Sequence, residues 1–305
     1  MKSVVVSGAT GFIGKELVRS LVERGDRVTA LTRDPARARP LVPEGAAIER
    51  WDGGSGDAPL SCLEGADAVV HLAGERAVGV YWTDAVKREI EDSRVKSTER
   101  LVRAIERSAR KPSVFVSASG VGFYGPHGNE ALDETAPAGE DYLASVCVAW
   151  EGAAARATAL GVRVVCARLG IVLGRGGGAL SQMALPFKMF VGGPIGSGKQ
   201  QVSWVHLEDA VRIFERAIDD ESLRGPVNVV SPNGVTNAEL SAAIGRTLSR
   251  PSVFRVPEAA LRLRFGEGAD PLVTGQRAIP AALVARGHQF RYAELDAALA
   301  EALGG

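Results

Sequence analysis

Gly8-Ala9-Thr10-Gly11-Phe12-Ile13-Gly14 is the segment that most narrows what this chain can fold into. It follows the β-branched run Val4-Val5-Val6 and precedes residues 15–24, where Leu17, Val18, Leu21 and Val22 recur at helical spacing. A strand, a three-glycine turn and an amphipathic helix, in that order, make a site for a dinucleotide pyrophosphate. Gly8 permits the tight exit from the strand, Gly11 lets the backbone approach the phosphates, and Gly14 lets the helix pack on the sheet. The helix N-terminus then presents unpaired N–H groups and a partial positive charge. Thr10, Phe12 and Ile13 are expected to line the same turn.

The strand–helix beat recurs. Residues 27–31, 47–51, 68–72, 113–117 and 163–167 read as further strands, and residues 89–108 and 142–160 as helices. Valine-rich strands alternating with helices predict an α/β fold: a Rossmann-type, doubly wound parallel sheet with helices on both faces. After Gly170 the chain turns glycine-rich, with short strands expected at 202–205 and 227–230, and from Thr236 it reads as mostly helical. The expected layout is a dinucleotide-binding domain over 1–173, its sheet completed by segments within 202–231. Residues 174–201 and 232–305 would then form a smaller, mainly helical substrate domain.

Charge and cysteine usage exclude several classes. The 36 basic and 36 acidic side chains cancel, leaving no global field to attract nucleic acid or anionic membrane. Cys62, Cys147 and Cys166 are widely spaced and odd in number, which suits reduced thiols and neither a disulfide framework nor a zinc site. The four histidines are scattered and suggest no metal cluster. The opening apolar run is too short for a signal peptide, and no stretch is long and apolar enough to span a bilayer, so the expected location is the cytoplasm.

The end of the second strand chooses the cofactor. An NAD site carries an acidic residue there for the ribose 2′-hydroxyl. This chain has Leu31-Thr32-Arg33-Asp34. A guanidinium can pair with a 2′-phosphate, so Thr32-Arg33 favours NADP over NAD, with Arg37 in reserve and Asp34 as the competing acceptor. Asp52 is a candidate acceptor for the adenine amino group. Leu72, Ala73 and Gly74, following His71, would pass beneath the adenosine and the nicotinamide ribose.

Several runs together resemble the extended short-chain dehydrogenase/reductase family. They are the glycine turn, His71 to Gly74, Ser117-Ala118-Ser119 followed by Phe123-Tyr124-Gly125, Arg168, and Trp204 to Ala210. Leu72-Ala73-Gly74-Glu75, Ser93-Arg94, Cys147 to Glu151, Gly192 to Gly198, Val229 to Pro232 and Gly275-Gln276-Arg277 narrow the resemblance to its NAD-dependent epimerase/dehydratase-like subgroup, the epimerase family of YfcH type, with a C-terminal domain of unknown function. The resemblance implies an NADP-dependent oxidoreductase or epimerase acting on a small carbonyl or hydroxyl compound, a cofactor-binding role for Arg168, and a homodimer as the expected assembly.

The wider family pairs a Ser or Thr with a Tyr and a Lys four residues later; the lysine lowers the tyrosine pKa and the tyrosine moves the proton. Ser119 fits the hydroxyl position. Tyr142 opens the corresponding helix, but Val146 stands four residues on, and alignment on Glu151 places Leu143 and Cys147 at the two positions instead. The lysine is absent in both registers. Tyr124, Tyr142 and Cys147 are the remaining proton-transfer candidates, with Arg94 or Lys96 as charge partners. A non-catalytic NADP-binding sensor or scaffold is the alternative.

Two further motifs read weakly. Residues 193–199 followed by Gln200 nearly spell a phosphate-binding loop but lack its final hydroxyl, and a glycine-rich flap beside the substrate cleft fits better. Gln276-Arg277 is a candidate for an anionic substrate group, against an ordinary surface ion pair for Arg277.

Overall fold

Seven strands align here, and the central ones are valine-rich runs buried on both faces. The seven are β1 (Ser3–Ser7), β2 (Arg27–Thr32), β3 (Ala47–Arg50), β4 (Ala68–His71), β5 (Val114–Gly120), β6 (Arg163–Leu169) and β7 (Gly225–Val229). In the computed structural model, which describes residues 1–304, they form one parallel sheet of order β7-β6-β5-β4-β1-β2-β3. Val5 of β1 is flanked by Thr29 of β2 and Val69 of β4. The strand order reverses between β1 and β4, which opens a crevice at the carboxyl ends of these two strands. This is the doubly wound Rossmann architecture expected from the sequence.

Eight helices matter to the argument: α1 (Phe12–Glu23), α2 (Asp84–Asp92), α3 (Val95–Arg107), α4 (Tyr142–Ala155), α5 (Gly178–Lys188), α6 (Leu207–Asp219), α7 (Asn237–Leu248) and α8 (Leu295–Leu303). Alternation along β1 sends Val4 and Val6 to one face, where they meet Leu17, Leu21, Ile213 and Phe214 of α1 and α6. Val5 faces the other way, into a core with Phe115, Leu101, Ile105 and Ala154 beneath α3 and α4. Each such buried side chain contributes about 1.5–3 kcal/mol. A third core joins Leu180 and Phe187 of α5 to Trp204, Leu240, Ile244 and Leu299, so α5, α7 and α8 pack as a helical unit beside the sheet.

The structure departs from the sequence reading in two places. The helix expected over 89–108 is two helices, α2 and α3, interrupted at Ser93-Arg94. Both side chains there compete for helix backbone: Ser93 Oγ donates to the Ile90 carbonyl at 3.0 Å and Arg94 donates to the same oxygen at 2.9 Å. The strand expected over 202–205 does not enter the main sheet. Gln201–Val202 pairs antiparallel with Val235–Thr236, and Trp204–His206 pairs with Ile171–Leu173. Residues 225–229, in contrast, complete the sheet as β7.

Asp209, at the start of α6, is 0 % exposed. Its two carboxylate oxygens accept from the backbone N–H groups of Arg291 and Tyr292 at 2.7 and 2.8 Å. Its position at the helix start thus also ties a remote segment to the sheet. Among the described residues, no helix is long and apolar enough to cross a membrane, and no group of three or more His, Cys, Asp and Glu side chains could hold a metal ion.

Candidate functional site

The glycine turn forms the floor of the crevice. Gly8 leaves β1 at φ +68°, and a Cβ there would stand 2.7 Å from the Leu72 carbonyl carbon. A Cβ on Gly14 would stand 2.1 Å from the Gly8 carbonyl oxygen. No side chain caps α1, its first turn holds no acidic residue, and Gly11 at its N-cap is exposed. The unsatisfied N–H groups of this helix therefore face the crevice with their partial positive charge uncancelled. Thr10, Phe12 and Ile13 are half-buried around the turn, and the glycines at 177 and 178 lie against the Phe12 ring. A flattened, side-chain-free cradle ending in free N–H donors fits a pyrophosphate.

At the far end of β2, Arg33 is exposed and its guanidinium reaches Glu75 Oε1 at 2.9 Å. Asp34 is turned away into local structure: its carboxylate caps the following turn by accepting from Arg37 N at 3.1 Å, and Asp34 N donates to Thr32 Oγ1 at 3.3 Å. Asp52 is similarly committed. One of its oxygens accepts from Gly54 N and Ser55 N and the other from Ser55 Oγ, which holds the carboxyl down at about 2. Leu72, Ala73 and Gly74 run along the crevice against Gly8, with Gly74 exposed.

Beneath them His71 is fully enclosed. Ser97 Oγ donates to the Ser93 carbonyl at 2.6 Å, so it accepts from His71 Nε2–H at 2.9 Å, leaving His71 Nδ1 to accept from Ser7 Oγ at 2.5 Å. This chain joins β1, β4 and α3 just below the glycine turn. Burial pushes the imidazole from its ordinary 6.5 down to about 3. Between these values the unfolded chain binds a proton that the folded protein refuses, so acidification removes stability, at most about 1.4 kcal/mol per pH unit, and none is lost above 6.5. The unfolding temperature of the wild type is expected to fall more steeply between pH 6.5 and 4 than that of His71→Asn; parallel profiles would refute this role.

The catalytic candidates fall into two groups. Ser119, at the end of β5, donates to Glu151 Oε1 at 2.7 Å. Cys147 lies one helical turn before Glu151 on α4; burial and the Glu151 charge push its thiol up to about 11. Tyr142 is half-buried, donates to the Lys87 carbonyl at 2.6 Å, and meets Trp82 edge-on. Arg94 donates to the Ile90 and Glu75 carbonyls, lies against the Trp150 ring, and adds its charge to the field at both Cys147 and Tyr142. Lys96, the other charge candidate, pairs instead with Asp92 on the surface.

Tyr124 does not reach the crevice. It is 0 % exposed, its hydroxyl donates to Asn228 Oδ1 at 2.7 Å, and it accepts from Arg168 at 3.0 Å. Arg168 is likewise enclosed: its guanidinium grips both Glu151 oxygens at 2.8 Å and lies 3.4 Å from the Phe123 ring centre. These two residues brace β5, β6 and β7 behind Ser119 and offer no free polar face to a cofactor. Reading the chain alone missed Glu151 as the hub of this network, because a carboxylate inside an alanine-rich helix carries no spacing signal. It also missed Glu75 as the partner of Arg33, since the two meet only through the β2–β1–β4 strand order.

Comparison with known proteins adds three findings. Residues 4–230 match the model of the NAD dependent epimerase/dehydratase family, and residues 256–302 match a domain of unknown function. A chloroplastic homolog of epimerase family protein SDR39U1 from Arabidopsis thaliana is 39% identical over 306 residues, covering 97% of this chain and 85% of that protein. Among solved structures, human epimerase family protein SDR39U1 (isoform 2) with NADPH superposes with a TM-score of 0.87 at 35% identity, covering 99% of both chains. A nucleoside-diphosphate sugar epimerase from Corynebacterium glutamicum gives 0.80 at 34% identity; 99% of this chain spans 58% of that one.

Proposed function

Because the chain belongs to the NAD dependent epimerase/dehydratase family, we propose that it binds NADP(H) in preference to NAD(H) and acts as an oxidoreductase or epimerase on a small carbonyl or hydroxyl compound. The observation that carries the reading is the uncapped N-terminus of α1 behind its glycine cradle, with Arg33 exposed on the β2 side and Asp34 capping its own turn through one carboxylate oxygen. The NADPH held by the human relative supports the same choice. When bound, the cofactor supplies or accepts a hydride at its nicotinamide ring.

The chain's own residues then divide the work. The α1 N–H groups and the glycine turn hold the pyrophosphate, and Arg33 meets the 2′-phosphate. Arg94 provides a fixed positive charge where the family lysine is missing. Cys147 and Tyr142 both have pKa values raised by burial, so each keeps its proton at neutral pH and suits the donor's role better than the base's. Ser119, aligned by Glu151, would orient the substrate oxygen. Arg277, half-buried, forms no ion pair among the described residues, which favours it as the receiver of an anionic substrate group over the surface ion-pair reading. Residues 174–201 and 232–305 would close the substrate side, in a cytoplasmic homodimer.

One observation favours a second reading. Val146 in one register and Cys147 in the other stand at the lysine position, and the Tyr142 hydroxyl donates to the Lys87 backbone carbonyl, so a binding protein without turnover also fits. Fluorescence titration with NADPH and NADH, followed by transfer of labelled hydride from NADPH to a panel of small carbonyls, separates the outcomes. The expected result is NADPH bound roughly tenfold tighter than NADH, with label in product that is lost in Arg94→Met. Equal binding of NADH would defeat the cofactor assignment. Tight NADPH binding with no label in any carbonyl would leave the sensor or scaffold.

A further inference from the structure

Arg33 follows β2 directly and Glu75 lies four residues beyond β4, with β1 and its glycine turn between them. Their ion pair therefore bridges the two loops that flank the dinucleotide crevice. Glu75 is held firmly for this contact. Its N–H donates to Ser93 Oγ at 3.0 Å and its carbonyl accepts from Arg94 at 2.9 Å, so its backbone is fixed on both sides. Arg33 has no such restraint: its side chain is 74 % exposed, against 41 % for Glu75, and its hydrogen-bond partner is the Glu75 carboxylate. An exposed cation thus rests on an anchored anion at the mouth of the site.

We propose that Glu75 competes with the cofactor's 2′-phosphate for Arg33 and thereby sets how strongly the site prefers NADPH to NADH. The inference rests on the reading of Arg33 as the phosphate receiver. A 2′-phosphate brings close to two negative charges to the guanidinium. To engage it, Arg33 must leave Glu75 or be shared with it, and the phosphate then sits beside a carboxylate whose backbone cannot retreat. Both effects oppose NADPH. Neither acts on NADH, whose ribose carries a neutral hydroxyl at that place. Because the pair is exposed, its competition is moderate and falls with added salt. Glu75 lowers NADPH affinity without abolishing it, which keeps the bound cofactor exchangeable.

The test is a binding titration of NADPH and of NADH against the wild type, Glu75→Gln, Arg33→Met and the double variant. Glu75→Gln keeps the backbone bonds that anchor the loop. It is expected to tighten NADPH by roughly three- to tenfold while leaving NADH within about twofold. The gain is expected to shrink to less than half in the Arg33→Met background, where the competition is gone and direct repulsion alone remains. Three results would overturn the proposal: unchanged or weaker NADPH binding in Glu75→Gln, a matching gain for NADH, or persistence of the whole gain without Arg33. Failure of the parent reading is told apart by the single Arg33→Met variant. If it binds NADPH as well as the wild type does, Arg33 is not the phosphate receiver and both proposals fall. If it weakens NADPH while Glu75→Gln changes nothing, only the competition is wrong.

Discussion

Gly14→Ala is expected to abolish NADPH binding and to lower stability by about 3 kcal/mol or more. The new methyl group would meet the Gly8 carbonyl oxygen at 2.1 Å and the Ala9 Cα at 2.9 Å. Neither neighbour is a flexible side chain that could swing aside. Relief requires α1 to lift from the turn, which opens the core shared by Leu17, Leu21, Val4 and Val6 and carries the helix N-terminus away from the phosphates. Thermal unfolding should report a fall of roughly 6 °C or more, and titration should show no saturable NADPH binding. Gly152→Ala is the matched control. It lies in α4 with nothing within 4 Å of the added Cβ, so helix propensity alone should leave it neutral or slightly stabilised. Equal behaviour of the two variants would refute the close-packing argument.

Arg168→Met should cost about 3–5 kcal/mol. The side chains of Arg168 and Glu151 are 4 % and 13 % exposed, and the guanidinium serves both Glu151 oxygens, the Tyr124 hydroxyl and the Phe123 ring. Removing it strands a buried carboxylate that Ser119 alone cannot satisfy. The pair itself is worth less than its breakage, since two desolvated charges give back much of their attraction. Combining Arg168→Met with Glu151→Gln should therefore recover part of the loss, which a denaturant double-mutant cycle measures directly. Strict additivity of the two single losses would sink this account.

The sheet was legible because its cause is local. Valine runs, an amphipathic helix and a glycine turn each announce themselves within a few residues, and together they specify β1, α1 and the crevice. The boundaries were harder where a side chain intervenes. Ser93 and Arg94 read as ordinary helix until their bonds to Ile90 and Glu75 are seen. Candidate-site residues split the same way. The glycines and Arg33 follow from chain order, because a strand end and the turn after it are neighbours in sequence. Tyr124 and Arg168 sit in runs that resemble a catalytic family, yet what surrounds them comes from Glu151, Asn228 and Glu134, distant in sequence. No periodicity reports an enclosure built from four separate segments.

Asp209 has a consequence for the order in which the molecule can assemble. Its carboxylate is fully buried, and the backbone N–H groups that donate to it lie 82 and 83 residues further along the chain. A nascent chain that has made α6 but not yet residues 291 and 292 would leave that carboxylate with Arg212, 3.8 Å away on the same helix, and without its two backbone donors, at a cost of about 1–3 kcal/mol if it were buried in that state. The first strands can pair early, because β1, β2 and β4 are neighbours in the first quarter of the chain, but the apolar face of β1 and α1 stays uncovered until Ile213 and Phe214 of α6 arrive. Final seating of α6 waits for the later segment. Completion of the core beneath α6 is in this way coupled to synthesis of the C-terminal segment that carries residues 291 and 292.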